Sequence, residues 1–227
     1  MLSIIIYPIL IVWLIVILIA FIHKDLKAIK SGDPAAKNFL EILTYPSLYA
    51  ISFHRIIHVL WILKIPVIPR LFSQFVRFFT FIEIHPGAKI GNAFFIDHGD
   101  GVVIGETTII GDHVIIYHQV TLGGTGKEKG KRHPTIASNV IIGAGAKVLG
   151  NISVGHNCKV GAASVVLSDV PDNTTVVGNP ARVVTKNDQD IMDELNIGNI
   201  SDPIIDKFKY LDEQIAELKK EIKGKTK

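Results

Sequence analysis

A chain of 227 residues is long enough for one sizeable domain with attachments. Its net charge of +3 is too small to argue for a nucleic-acid partner, and no long basic run or interleaved aromatic patch supports one. A single cysteine, Cys158, excludes an internal disulfide framework.

The apolar fraction of 48% is ordinary, but the mean hydropathy of +0.36 is high for a soluble protein, and the excess lies at the start. Residues 1–22 carry no charged side chain. As a helix they would reach about 30 Å, the thickness of a bilayer core. A basic leader and a small-x-small cleavage site are both missing, which argues against a signal peptide. The segment is expected to be a membrane-anchor helix, with a buried oligomerisation helix as the other reading. Lys24, Lys27 and Lys30 follow it, so the positive-inside rule puts the rest of the chain in the cytoplasm, anchored to the cell membrane.

Residues 23–82 read as a helical region with breaks at Gly32, Pro34, Pro46, Pro66 and Pro69. Apolar positions 53, 56, 57 and 60 fit one helix face, and His54, Arg55 and His58 among them read as exposed or satisfied. From residue 84 an aliphatic residue recurs every six positions: Ile136, Ile142, Val148, Val154, Val160 and Val166, preceded by Ile84, Ile90, Ile104, Ile110, Ile116 and Leu122. The position four later is small or aliphatic, as at Val140, Ala146, Ile152, Cys158, Ser164 and Val170. Each six is a short strand plus a bend, and three sixes close a triangular coil, so residues 83–186 are expected to form a parallel β-helix. Residues 187–227 are expected to be a C-terminal helical tail. Asp202 is placed to cap it, and Ile204, Phe208, Leu211, Ile215, Leu218 and Ile222 recur at four and three.

The repeat stumbles twice. "IDHGDG" makes the step from Ile90 to Ile104 fourteen where twelve keeps phase, and the step from Leu122 to Ile136 is again fourteen against twelve. The second segment is Gly-rich and basic and has no inward aliphatic residue. It must leave the prism as a loop over 123–135, and loops on a rigid scaffold are where sites collect.

Seven stretches occur in order: "DPAA" at 33, "HRIIHVLW" at 54, "EIHPGAKIG" at 83, "IDHGDGVVIGET" at 96, "VTLGGTGKEKGKRHP" at 120, "IGAGAKVLGN" at 142 and "VVGNPARVV" at 176. On these the chain resembles the serine O-acetyltransferases, a hexapeptide-repeat family. The resemblance implies a left-handed β-helix, transfer of acetyl from acetyl-CoA to the hydroxyl of L-serine in cysteine biosynthesis, and a homotrimer with grooves between subunits. It also implies feedback inhibition by cysteine, which is nearly isosteric with serine. The family's tail often ends in an Ile that enters O-acetylserine sulfhydrylase; this chain ends "GKTK", so that complex is not expected.

Such a transfer needs a base for the hydroxyl proton, and a carboxylate to orient it. An amino-acid acceptor needs carboxylates for its ammonium and an arginine for its carboxylate. His98, in the first break, is the expected base, with Glu83 its partner by the resemblance. Asp33 and Asp97 match the ammonium ligands, and Arg132 and His133 the carboxylate and hydroxyl ligands. Gly124, Thr125, Ala144 and Ala162 match the family's acetyl-CoA groove, and Lys159 is placed to meet phosphate. No metal is expected: His113 and His118 are five apart, but a third ligand is missing in register. Cys158 reads as a core residue. The rival functions are acetylation of another hydroxyl, such as a sugar, and a non-enzymatic β-helix scaffold. Arg132 separates the first rival from serine, because a sugar needs no counter-ion.

Overall fold

The computed structural model describes residues 23–126, 129–184 and Gln214. The expected anchor, residues 1–22, and all of the tail except Gln214, which is helical and exposed, lie outside the described residues. Among the described residues no helix is long and apolar enough to cross a membrane.

The prism has three faces. The first is built from β1 (Glu83–Ile84), β4 (Val103–Ile104), β7 (Thr121–Gly123), β10 (Lys147–Leu149) and β13 (Val165–Val166). The second holds β2 (Lys89–Ile90), β5 (Ile109–Ile110), β8 (Thr135–Ile136) and β11 (Ser153–Val154). The third holds β3 (Phe95–Ile96), β6 (Ile115–Ile116), β9 (Ile141–Ile142), β12 (Lys159–Val160) and β14 (Thr175–Gly178), closed by antiparallel β15 (Ala181–Val183). All other pairings are parallel, each interior strand hydrogen-bonding to the coil above and below. The second residue of each hexad points inward: Ile104, Ile116, Leu122, Ile136, Ile142, Val148 and Val154 are at most 1% exposed. The small positions fill the corners, and Ala88, Val114, Val140, Ala146, Cys158 and Ser164 are fully buried.

The register measures the interruptions. Regular coils pair residues eighteen apart, as Val103 with Thr121 and Lys147 with Val165. Glu83 pairs with Val103, twenty apart, so the first break adds two residues. Thr121 pairs with Lys147, twenty-six apart. The loop therefore holds eight residues beyond the regular turn, not the two inferred from the spacing alone. Leu122 and Ile136 belong to adjacent faces, where six positions keep phase. Gly123 and Thr135 are strand residues, so the loop proper is 124–134. A third irregularity was not anticipated: Lys159 pairs with Thr175, sixteen apart, so the last coil is two residues short.

The three edges carry different chemistry. On the second edge the left-handed conformation recurs at Ala93, His113, Asn139, Asn157 and Asn173, with φ between 53° and 61°. Asparagine tolerates that conformation better than most residues. Asn139 donates to Asn157, which donates to Asn173, at 3.2 and 2.9 Å.

Four helical pieces precede the prism: α1 (23–32), α2 (Phe39–Ile42), α3 (Pro46–Ile62) and α4 (Ile68–Thr80). Pro46 and Pro69 sit in the first turns of α3 and α4, starting helices rather than breaking them. The apolar stripe read at 53, 56, 57 and 60 only partly coincides with the buried one. Phe53 and Ile56 are exposed, while Leu48, Ala50, Ile51, His54 and Ile57 face the protein. The imidazole Nε2 of His54 lies 3.1 Å from the Ala88 carbonyl, and Nδ1 of His58 lies 2.7 Å from that of Pro86, so these polar residues hold α3 to the first coil. Arg55 forks onto Asp25 of α1 at 2.9 and 3.0 Å and also reaches the Gly91 carbonyl. With Asp25 fully buried, this pins α1 against the second edge, and Ile29 packs with Phe95 on the third face. Val76 of α4 packs against the main core at the open end of the prism.

Candidate active site

The two extra residues of the first break bulge from the third edge, between β3 and β4. His98 sits there with φ 61° and its side chain 75% exposed, while the adjacent Asp97 carboxylate is 14% exposed. Asp33, just past α1, hydrogen-bonds to the Tyr45 hydroxyl through a very short contact and accepts from the Ala35 amide at 2.7 Å. The Tyr45 bond holds Asp33 below the usual carboxylate range, and Tyr45 itself is pushed up to about 12. Burial, the largest cause, lifts Asp97, and the charge of Asp33 adds to the lift, whereas His98 and His118 oppose it. A carboxylate lifted by burial and by the charge of a second carboxylate, beside an exposed imidazole, makes a pocket suited to a cation such as an ammonium group.

His98 lies 3.9 Å from Asp97, and its ring meets that of His118 edge-on at 5.9 Å. Glu83 opens the first face at the same edge, its amide donating to the Val102 carbonyl. Its carboxylate pairs with Arg77 of α4 at 3.2 Å rather than with His98.

Arg132 and His133 stand elsewhere. They end the long loop on the first edge, over the preceding coil's turn, Gly105–Glu106–Thr107. Arg132 pairs with Glu106 at 2.5 Å. Thr107 Oγ1 accepts the Arg132 and His133 amides at 3.0 and 3.1 Å. His133 is 8% exposed, and its Nδ1 accepts the Thr107 amide at 3.1 Å. That bond places the ring proton on Nε2, and burial pushes the imidazole below its ordinary range, so the ring is neutral and Nε2–H is a donor.

The acetyl-CoA residues divide the same way. Gly124 and Thr125 are at the loop's foot on the first edge, where a Cβ on Gly124 would lie 3.2 Å from the Arg132 carbonyl. Ala144 and Ala162 stack on the third edge in successive coils, where the Ala163 amide donates to the Ala144 carbonyl at 2.8 Å. Lys159 is half-buried on the third face, and burial lowers its ammonium pKa. His113 and His118, at the two ends of β6, lie on different edges. Among the described residues no group of three His, Cys, Asp or Glu is placed to hold a metal.

Comparison with known proteins identifies the family. The family described as bacterial transferase hexapeptide (six repeats) matches residues 133–168. The serine acetyltransferase of Bacillus subtilis (strain 168) is 55% identical over 205 residues, covering 90% of this chain and 94% of that protein. This chain belongs to the serine acetyltransferase family. The soybean serine acetyltransferase complexed with serine superposes with a TM-score of 0.72 at 46% identity, covering 74% of this chain and 69% of that one. The Brucella abortus strain S19 serine acetyltransferase in complex with coenzyme A gives 0.72 at 42% identity over 74% and 68%.

Within this serine acetyltransferase fold, the structure brings Asp33, Asp97, His98 and Glu83 to one edge and Arg132 and His133 to another. Sequence reasoning missed Tyr45, Glu106 and Thr107, and weighed His118 only as a metal ligand. Glu106 and Thr107 stood in the quoted "IGET" beside the first break and carried that signal. Tyr45, and the contact of His118 with His98, carried none, because their partners are supplied by tertiary folding.

Proposed function

We propose that the protein transfers the acetyl group of acetyl-CoA to the hydroxyl of L-serine, giving O-acetyl-L-serine and free coenzyme A in cysteine synthesis. Asp33 and Asp97 take the serine ammonium, and Arg132 and His133 its carboxylate and hydroxyl region. The Nε2 of His98 removes the hydroxyl proton as the oxygen attacks the thioester carbonyl. The tetrahedral adduct collapses with loss of the thiolate, which recovers the proton from the imidazolium. Glu83 is positioned on the same edge to steady that imidazolium when its carboxylate turns from Arg77. Gly124, Thr125, Ala144 and Ala162 line the coenzyme groove, and Lys159 meets a phosphate.

The carrying observation is the division of the site between two edges. The first face between them is crossed by the stretch from Val102 to Thr107, on the order of 15 Å at about 3.3 Å per extended residue. One serine cannot touch His98 and Arg132 of the same chain across that span. The third edge of one copy must face the first edge of another, and a ring of three closes such contacts. The exposed Leu71, Phe72, Phe75, Phe78 and Phe79 of α4 support association too, since apolar patches of this size rarely face water.

Thiol release from acetyl-CoA, with and without L-serine, tests the reaction. Serine-dependent release is expected, and His98→Ala should lower kcat/KM by about 10²- to 10⁴-fold. Release with a sugar acceptor in place of serine would support the alternative substrate class, and no release with any hydroxyl would point to a scaffold. Cysteine, with a thiol in place of the hydroxyl, would occupy the same ligands and inhibit. The uncharged run 1–22 followed by three lysines supports attachment to the cytoplasmic face of the cell membrane. Deleting residues 1–22 should move the protein from the membrane fraction to the supernatant; if the full-length chain is already in the supernatant, the attachment is wrong.

A further inference from the structure

The extruded loop presents an unusual ammonium. Lys131 Nζ donates to three main-chain carbonyls: Thr107 at 2.7 Å, His133 at 2.5 Å and Pro134 at 3.1 Å. An ammonium has three N–H groups, and here each has an acceptor, so Lys131 has no donor left for a substrate. Two of the acceptors belong to the loop's own foot. The third, Thr107, belongs to the preceding coil.

Thr107 completes the stitch from the other side. Its hydroxyl oxygen accepts the amides of Arg132 and His133, and the Ile109 amide donates to the Pro134 carbonyl at 3.2 Å. The described glycines of the loop's far part are open to solvent. A Cβ on Gly126 or Gly130 would meet nothing within 4 Å. The direction in which Arg132 leaves the prism is therefore set at the foot, by Thr107 and Lys131.

We propose that Lys131 is a positioning residue for the half of the site that receives the substrate carboxylate, acting through the main chain of Arg132 and His133. This rests on the assignment of those two residues to serine given above. By joining the carbonyls of residues 107, 133 and 134 at one point, the ammonium fixes the two peptide planes that flank Pro134, and with Thr107 holding the Arg132 and His133 amides it sets the path of the chain that carries the guanidinium and Nε2–H. Its positive charge, one residue from Arg132, also adds to the potential met by an incoming carboxylate. Burial lowers the Lys131 pKa, in keeping with an ammonium enclosed by the fold rather than a solvated basic loop residue.

The test is Lys131→Met in the full-length protein, which keeps the chain's length and apolar stem but removes all three donors. Two measurements are made beside wild type: hydrogen exchange of the Arg132 and His133 amides, and the kinetic constants for serine and acetyl-CoA. Exchange at those amides is expected to accelerate, and the serine KM to rise roughly tenfold while kcat and the acetyl-CoA KM stay within about threefold, the pattern of lost ground-state binding. Should Lys131→Met fail to fold by circular dichroism, Lys131→Gln, which keeps an N–H donor, takes its place. Unchanged exchange in a folded variant overturns the proposal, as does a fall in kcat at constant serine KM. If wild type shows no serine-dependent turnover, the function assignment fails, and the exchange measurement still decides whether Lys131 holds residues 132 and 133.

Discussion

Gly105 bears on the proposed substrate site through His133. A Cβ there would fall 2.0 Å from Cδ2 and 2.2 Å from Nε2 of His133, far inside contact distance. Gly105→Ala must therefore swing the imidazole off the first edge or push the loop outward. Serine KM should rise by about tenfold or more with acetyl-CoA KM nearly constant, at a stability cost of about 1–3 kcal/mol for overpacking; equal serine kinetics in the variant would mean His133 does not meet the substrate. Other histidines set the acid limit of the fold. Burial pushes His54 down to about 3 and His85 down to about 4, both from an ordinary value near 6.5. Below pH 6.5 the unfolded chain takes protons that these folded imidazoles refuse, so stability falls with pH until their folded values are reached. Each histidine contributes a slope approaching about 1.4 kcal/mol per pH unit inside its window. Thermal melts between pH 7 and pH 5 should show a falling Tm, and His54→Gln, which keeps a donor for the Ala88 carbonyl but does not titrate, should flatten the slope. His98 and Asp97 were legible because they displace a countable repeat. Tyr45, Lys131 and His118 were not, because a hydrogen bond or ring contact made across coils leaves no period in the chain.

Strands and helices differed in legibility for a related reason. Within the regular coils the inward positions repeat at six because each coil hydrogen-bonds only to its neighbours, so local spacing and final packing are the same fact there. The bounds of the loop were legible, but its excess over a regular turn was undercounted because spacing alone does not say which face a strand joins. Only the pairing of Thr121 with Lys147 does. In α3 the apolar stripe pointed only partly to the buried face, which takes Ile57 but not Phe53 or Ile56. His54, Arg55 and His58 find carbonyl acceptors in the first coil, and those bonds outweigh the burial of Phe53 and Ile56. The Asp25–Arg55 fork belongs to this scale. It is the joint between α1, which carries Asp33 to the site, and the prism. Asp25→Ala leaves a guanidinium 9% exposed without its carboxylate, and removing one partner of a buried pair costs about 3–5 kcal/mol. Chemical denaturation should register that loss, and serine affinity should weaken as Asp33 loses its anchor. A change below about 1 kcal/mol would show that α1 docks through Ile29 and Phe95 alone.

At the scale of the assembly, a site divided between two prism edges makes a prediction that a self-contained site does not. His98→Ala ruins the third-edge half of a copy and leaves its first-edge half intact. Arg132→Ala does the reverse. Each variant alone yields only defective sites, whichever copies meet. When the two chains are unfolded, mixed in equal amounts and refolded together, a site is whole when an intact third edge from the Arg132→Ala chain meets an intact first edge from the His98→Ala chain. Each condition holds half the time under random assembly, so about a quarter of the sites should be native in a closed ring. Serine-dependent turnover of the mixture should recover to about that fraction of wild type, while each variant refolded alone stays inactive. Recovery requires a shared site, because no chain in the mixture carries both residues. No recovery, with light scattering showing that mixed oligomers formed, would mean that His98 and Arg132 of the same chain serve one serine. The long loop would then have to fold back across the first face to reach it.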